Sequence, residues 1–185
     1  AMERWIAGTW RPFVLVVLAT ALAFGNVARN GWTLDDHYVI ANNSFVHRPA
    51  NLARLFSPHY FAEASEGSFR PVVTLTYFLD AALWDRRAAG YHLTNLLLHA
   101  AVALLLLARL RAVGLPAPAA LFAALLFALH PAVCEAVNAV GFREDILVAF
   151  FGLLAWTALG KAGPDHAALP RAMALGAGAV CLFLA

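Results

Sequence analysis

Residues 91–110 decide the fold, and they read YHLTNLLLHAAVALLLLARL. This run is dominated by Leu and Ala, and its one formal charge, Arg109, stands near its end. As an α-helix it would be about 30 Å long, the thickness of the hydrocarbon core of a membrane. The whole chain of 185 residues is 62% hydrophobic and 13% charged, whereas soluble domains are about 25% charged. These features predict an all-α protein, a polytopic transmembrane helical bundle.

Outward from this helix, four more apolar runs predict further membrane spans. The predicted spans are about 10–28, 91–111, 116–131, 145–160 and 171–185, with external loops at 29–90 and 131–145. Within the first loop, 51–56 and 72–84 are predicted helices. The second is too short to span and is expected to be interfacial or re-entrant. Because the chain stops inside an apolar run, we expect residues 1–185 to be one membrane domain, the N-terminal fragment of a larger module.

The basic residues predict the orientation in the membrane. Each predicted cytoplasmic end carries Lys or Arg, which places the N-terminus in the cytoplasm and both loops outside. These residues are Arg4, Arg11, Arg109, Arg111, Lys161 and Arg171. Arginine far outnumbers lysine, as is typical of GC-rich prokaryotic genomes, so a bacterial inner membrane is the expected location.

Several function classes are excluded by the sequence. The net charge of +2 is too small to indicate nucleic-acid binding. No Walker loop, dinucleotide fingerprint, HExxH or CxxC motif occurs. Cys134 and Cys181 lie in or beside apolar segments without metal-ligand spacing, so we interpret both as small hydrophobic residues.

The segment GWTLDDH, residues 31–37, places two adjacent carboxylates at the outer edge of the first span. Neighbouring acids repel one another and bind protons or cations more readily than isolated acids. In the predicted topology this segment shares a membrane face with the second external loop, where ionisable residues indicate a functional site. The candidates are Asp35, Asp36, His37, His130, Glu135, Arg143, Glu144 and Asp145. The alternative is a solvated turn in the first loop and, at 143–145, a solvated loop that pairs internally.

Two further polar features accompany these loops. His92, Asn95 and His99 lie within about 60° of one another on a helix, so this face should look into the bundle or a wet cavity. Hydrogen bonding between helices is one interpretation, and a functional role for His92 at the outer end is the other. Arg70 directly precedes Pro71, where an arginine and a helix N-terminus can bind a phosphate together. The alternative is an arginine that extends to lipid headgroups.

Several motifs occur in an order that resembles a known family. They are DDHYVI at 35–40 with NN at 42–43, FRPVVTLT at 69–76, GYHLTNLLLH at 90–99, LHP at 129–131, EAVN at 135–138 and GFRED at 141–145. Residues 12–160 resemble the N-terminal membrane part of the TMTC-type protein O-mannosyltransferases and their bacterial relatives, which often carry tetratricopeptide repeats downstream. No repeat of about 34 residues is found here.

The resemblance implies a GT-C glycosyltransferase, a multi-spanning helical enzyme. Such an enzyme takes a sugar, here mannose or a similar hexose, from a polyprenyl-phosphate donor on the non-cytoplasmic face. It passes the sugar to a hydroxyl acceptor such as a protein Ser or Thr. In that fold an acid of the first external loop is catalytic, which implies Asp35 or Asp36, with Asp36 preferred.

Charge and side of the membrane indicate supporting residues for this reaction. Arg143, Arg70 and His92 are the expected contacts of the donor phosphate. Glu135 would position the acceptor or adjust Asp36. The remaining supporting candidates are His37, His130, Glu144 and Asp145. No cofactor is implied with certainty, although Asp35, Asp36 and Glu135 would be the residues to hold a divalent cation.

Two other functions are compatible with the same residues. One is a transporter or lipid-handling protein with an acidic external gate, and the other is an inactive scaffold that keeps the fold. Transporters tend to contain inverted repeats and helices broken near the membrane midplane. Here the polar residues gather at the outer interface and no internal repeat is found, which favours the enzyme.

Overall fold

The computed structural model describes residues 10–33, 35–58, 60 and 69–161, and this part of the chain is helical and contains no β-strand. The α-helices are α1 (Arg11–Phe24), α2 (Pro71–Trp84), α3 (Ala88–Ala112), α4 (Ala117–Leu129), α5 (Cys134–Asn138) and α6 (Arg143–Lys161). Short 3₁₀ turns cover Gly25–Arg29, Pro49–Arg54, Pro131–Val133 and Val140–Phe142, and a π turn covers His37–Ala41. The all-α prediction is confirmed for these residues.

Two helices of the described region are long and apolar enough to cross a membrane. One is α1 with its 3₁₀ continuation, Arg11–Arg29, at a mean hydropathy of 1.7, and the other is α3 at 1.9. They coincide with the predicted spans 10–28 and 91–111. A third span results if α4 and the segment Pro131–Asn138, which meet at an angle of 47°, cross together.

The remaining predicted spans have different outcomes. Residues 145–160 lie within α6, which carries Arg143, Glu144 and Asp145 in its first turn, and its passage through a membrane stays a prediction. Residues 171–185 lie outside the described residues. The expected loop helices appear as the 3₁₀ turn Pro49–Arg54 and as α2.

Proline and glycine set the ends of these helices. Pro12, Pro71 and Pro118 stand in the first turns of α1, α2 and α4, where a missing N–H group costs nothing. Gly114 follows α3 with a φ of +92°, a conformation that favours glycine. Gly90 in α3 lies against the Trp84 side chain, which closes the tight turn between α2 and α3.

Helix α3 is the centre of the molecule, since α1, α4, α5, α6 and part of α2 pack against it. The interface of α1, α3 and α4 is built from Val16, Ala103, Leu107, Ala120 and Ala124, mostly small residues that let helices approach closely. At the other end of α3, the first loop and α2 pack over Tyr91 in a second core that is rich in aromatic residues. The loop at 131–145, predicted to be the second external loop, contributes Val140 to this aromatic core.

Candidate functional site

The two loops that were predicted to be external meet at the carboxylate of Asp36, which is fully buried. Its Oδ1 accepts a hydrogen bond from the backbone N–H of Gly141 at 2.7 Å. Its Oδ2 accepts from the N–H and the hydroxyl of Thr33, at 3.0 and 3.1 Å, and from the N–H of Val140 at 3.4 Å. We call these contacts among Thr33, Asp36, Val140 and Gly141 the Asp36 junction.

The local backbone explains why the Asp36 junction forms. Thr33 and Asp36 lie in one turn, which is closed by a bond of 2.9 Å from the Asp36 N–H to the Thr33 carbonyl. Across from it, the start of the 3₁₀ turn at Val140 presents N–H groups that have no partner inside the turn. Gly141 permits the close approach, because a Cβ atom at this position would lie only 3.2 Å from Asp36 Oδ1.

Helix α3 holds the segment that precedes Asp36. His92 is fully buried, and its Nε2 donates a hydrogen bond to the carbonyl of Gly31 at 3.0 Å. The ring of Trp32 packs edge-to-face on Tyr91, with 5.0 Å between the ring centroids. Gly31 and Trp32 are therefore held by contacts with α3, while Asp36 is held by the second loop. His92 was expected at the donor phosphate, and its buried ring instead supports this segment.

The two adjacent acids have different environments. Both oxygens of Asp36 are occupied by donors, whereas the side chains of Asp35 and His37 are exposed. An enclosed carboxylate must break its hydrogen bonds before it can meet a substrate, and that costs free energy. The sequence argument preferred Asp36, but the surroundings of the pair favour Asp35 as the acid that reaches a substrate.

Arg143 is also fully buried, and each of its three guanidinium nitrogens has a protein partner. Its Nη1 lies 2.6 Å from a carboxylate oxygen of Asp80 and donates to the Thr76 hydroxyl at 2.9 Å. Its Nε donates to Oδ1 of Asn95 at 2.6 Å, and Nη2 donates to the carbonyl of Tyr91 at 3.0 Å. Arg143 thus joins α6 to α2 and α3. This arrangement argues against the expected contact with a donor phosphate, because no phosphate reaches the guanidinium without disrupting these bonds.

Asp80 is the residue that the sequence reasoning missed. It is buried in α2, and its second oxygen accepts a hydrogen bond of 2.6 Å from the Thr94 hydroxyl. Burial raises the pKa of Asp80, and the nearby Arg143 opposes this shift. A single acid inside an apolar helix needs a charged partner, and this was the signal in the sequence that pointed to the pair.

Arg70 and Glu144 form a second ion pair between the loops. The Arg70 Nη1 lies 2.6 Å from Glu144 Oε1, and the Arg70 side chain remains 41% exposed. Burial of the carboxyl raises the pKa of Glu144, while the charge of Arg70 lowers it. Arg70 stands at the N-cap of α2, as predicted, and the pair brings it to the turn that follows Gly141. Arg70 is therefore open to a ligand in a way that Arg143 is not.

The polar stripe on α3 faces the interior of the bundle. Asn95 donates to the carbonyls of Ala136 and Ala139, at 3.1 and 3.2 Å. His99 donates to the carbonyl of Ala128 at 3.0 Å and is buried. Of the two interpretations of this stripe, hydrogen bonding between helices is the one that the contacts support.

The other candidates of the second loop are exposed. His130 accepts a hydrogen bond of 3.1 Å from the N–H of Ala132 and so caps the 3₁₀ turn that follows it. Glu135 and Asp145 have exposed side chains. Within the described ranges, no group of three or more His, Cys, Asp or Glu residues is placed to hold a metal ion. The cation site considered for Asp35, Asp36 and Glu135 is therefore not assembled here.

The sequence is similar to several known proteins over most of its length. The chain is 32% identical to the protein O-mannosyl-transferase TMTC3 of Mus musculus over 163 residues, which are 85% of this chain and 18% of that protein. It is 30% identical to the Homo sapiens protein of the same name over 89% of this chain and 19% of that one. It is 31% identical to the protein O-mannosyl-transferase TMTC1 of Mus musculus over 77% of this chain and 16% of that one.

The chain spans about a fifth of the length of these curated relatives. No protein-family model and no solved structure matches it. All three relatives are named as protein O-mannosyl-transferases, and each is similar to more than three quarters of this sequence. The resemblance inferred from the motifs is thereby confirmed: over most of its length the chain is homologous to the TMTC family of protein O-mannosyl-transferases.

Proposed function

We propose that the chain belongs to a GT-C glycosyltransferase that moves mannose or a similar hexose from a polyprenyl-phosphate donor to a hydroxyl of a protein Ser or Thr. The names of its relatives support sugar transfer to protein. The single observation that supports a catalytic site in this part is the exposed Asp35, next to a segment that buried contacts hold in place. The basic residues at the predicted inner ends support a site on the non-cytoplasmic face.

In the proposed reaction Asp35 is the general base. Its carboxylate accepts the proton of the acceptor hydroxyl while the hydroxyl oxygen forms a bond to the anomeric carbon of the sugar. The bond from that carbon to the phosphate oxygen breaks, and the electron pair leaves with the polyprenyl phosphate. A phosphate leaving group requires positive charge rather than a proton.

Arg70 is the proposed source of that positive charge. Its guanidinium is 41% exposed and stands at the N-terminus of α2, where backbone N–H groups also favour an anion. Glu144 holds Arg70 through the ion pair at 2.6 Å. Arg143 and His92 take no part in the chemistry in this proposal, since both are buried in contacts that support the loops.

The test is an assay of the full-length protein in membranes with labelled polyprenyl-phosphate sugars. Asp35→Asn should lower turnover by at least about a hundredfold, the low end for acid–base catalysis. Asp85→Asn is the matched control, because Asp85 is another exposed acid and lies at the C-terminal end of α2. If wild type transfers sugar and Asp35→Asn is as active as the control, Asp35 is not the base. Flux of a solute without any glycosylated product would support the transporter instead.

A further inference from the structure

We infer that Asp36 is a positioning residue, which holds the two external loops together and thereby fixes the backbone that carries Asp35. The inference rests on the proposed function, since it gives Asp36 a role in sugar transfer without contact with the substrate. The two acids then have separate tasks, although they are neighbours in the sequence.

The geometry of the Asp36 junction is that of a permanent contact. Four donors surround the carboxylate, two from Thr33 in its own turn and two from Val140 and Gly141, more than a hundred residues later. Hydrogen bonds to an ionised carboxylate are about twice as strong as bonds between neutral groups. The side chain is 0% exposed, so neither water nor an acceptor hydroxyl competes for its oxygens.

The second loop is itself held firmly where it meets Asp36. Two residues after Gly141, the Arg143 guanidinium is bound to Asp80 and Asn95 on two different helices. The bonds of Arg143 therefore hold the backbone at 140 and 141 in place. Because Asp36 is bound to the N–H groups of these two residues, the same bonds fix the position of the first loop. Asp35 precedes it directly, so its Cα position follows from the same bonds.

Misplacement of a reacting group by about 1 Å can lower a rate by about a hundredfold. Asp36→Asn replaces one oxygen by an amide that cannot accept a hydrogen bond, so at least one donor of the junction loses its partner. We expect a reduced kcat and a nearly unchanged KM for the donor. Thr33→Val removes only the hydroxyl donor and should have a smaller effect of the same kind.

A matched glycine pair tests the junction without altering either acid. Gly141→Ala brings a Cβ to 3.2 Å from Asp36 Oδ1, whereas Gly152→Ala in α6 meets nothing within 4 Å. Gly141→Ala should lower kcat and Gly152→Ala should not. Combined with Asp36→Asn, Gly141→Ala should add less than its separate effect, because both variants weaken one contact, while Gly152→Ala should be additive.

Hydrogen exchange at residues 140 and 141, measured on the full chain, gives a readout that does not depend on activity. Asp36→Asn and Gly141→Ala should speed exchange of these amides by about tenfold or more, as loss of a bond to a charged group implies. Asp35→Asn and Gly152→Ala should leave it unchanged.

These measurements separate the two proposals. Unchanged exchange in Asp36→Asn, together with a loss of transfer as deep as in Asp35→Asn, would make Asp36 a reacting group and overturn the inference while the proposed function stands. If wild type transfers no sugar, the proposed function fails. In that case faster exchange in Asp36→Asn and Gly141→Ala still establishes the junction as a structural contact, but its role in transfer is lost with the proposed function.

Discussion

The guanidinium of Arg143 lies 2.6 Å from the carboxylate of Asp80, and the two side chains are 0% and 2% exposed. This pair joins α6 to α2 beside the N-terminal part of α3, close to the turn that binds Asp36. A buried pair of this kind is costly to break from one side, because the remaining charge has no water to solvate it. The pair therefore contributes to the stability of the second loop, which holds Asp36.

Arg143→Met should destabilise the protein by about 3–5 kcal/mol, the usual cost of leaving a buried charge unpaired. Thermal unfolding in detergent measures this change. Arg143→Met combined with Asp80→Leu should recover much of the loss, because both charges are then absent. A stable Arg143→Met protein that has only lost affinity for the donor would show that Arg143 binds phosphate after all.

Asp35→Ala should regain part of its lost activity when formate is added, since a small acid can enter the space of an exposed base and accept the proton in its place. The rate of product formation against formate concentration measures the rescue. Asp36→Ala should show no rescue, because its site is closed to solvent. Rescue of Asp36→Ala alone would reverse the assignment of the two acids.

Glu144 should give the stability of the protein a recognisable pH dependence. Burial raises the pKa of its carboxyl in the folded state above the usual 4.5. At a pH between 4.5 and the folded-state pKa, the folded protein therefore holds a proton that the unfolded chain has released. Stability then falls as the pH rises through the folded pKa. Unfolding of wild type and Glu144→Gln, compared from pH 4 upward, should show the variant gaining stability relative to wild type. A difference that is constant with pH would contradict this assignment.

Gly90→Ala should disturb the turn between α2 and α3. A Cβ atom on Gly90 would overlap side-chain atoms of Trp84, and such overpacking costs about 1–3 kcal/mol. Gly25→Ala is the control, since nothing lies within 4 Å of its Cβ position and its φ is −61°. Equal thermal stability of the two variants would mean that Trp84 moves aside without cost.

The sequence predicted the helices well because their signals are local. Long apolar runs, with proline in the first turn and glycine after the end, are enough to predict α3 and the start of α2. The inward orientation of Asn95 and His99 also follows from helical spacing alone, and the contacts of both side chains confirm it.

The burial of Asp36 and the exposure of Asp35 could not be predicted from local sequence patterns. Asp35 and Asp36 are adjacent, yet one is exposed and the other is buried, in part by contacts with Val140 and Gly141, which lie more than a hundred residues away. Likewise, charge and side of the membrane suggested a phosphate contact for Arg143, whereas the partner seen in this structure, Asp80, lies on another helix and far away in the sequence. Tertiary contacts of this range leave no periodic pattern in the chain.

The Asp36 junction also bears on how such a protein can be altered. The place of Asp35 depends on the contacts of Asp36 with the second loop, but the first loop also buries Phe45, Val46 and Leu55 in the aromatic core beside Tyr91. Exchange of residues 42–58 as a block would therefore remove part of the core on which the acid rests. For protein engineering, this loop is better varied at its exposed side chains, one position at a time, than replaced as a whole.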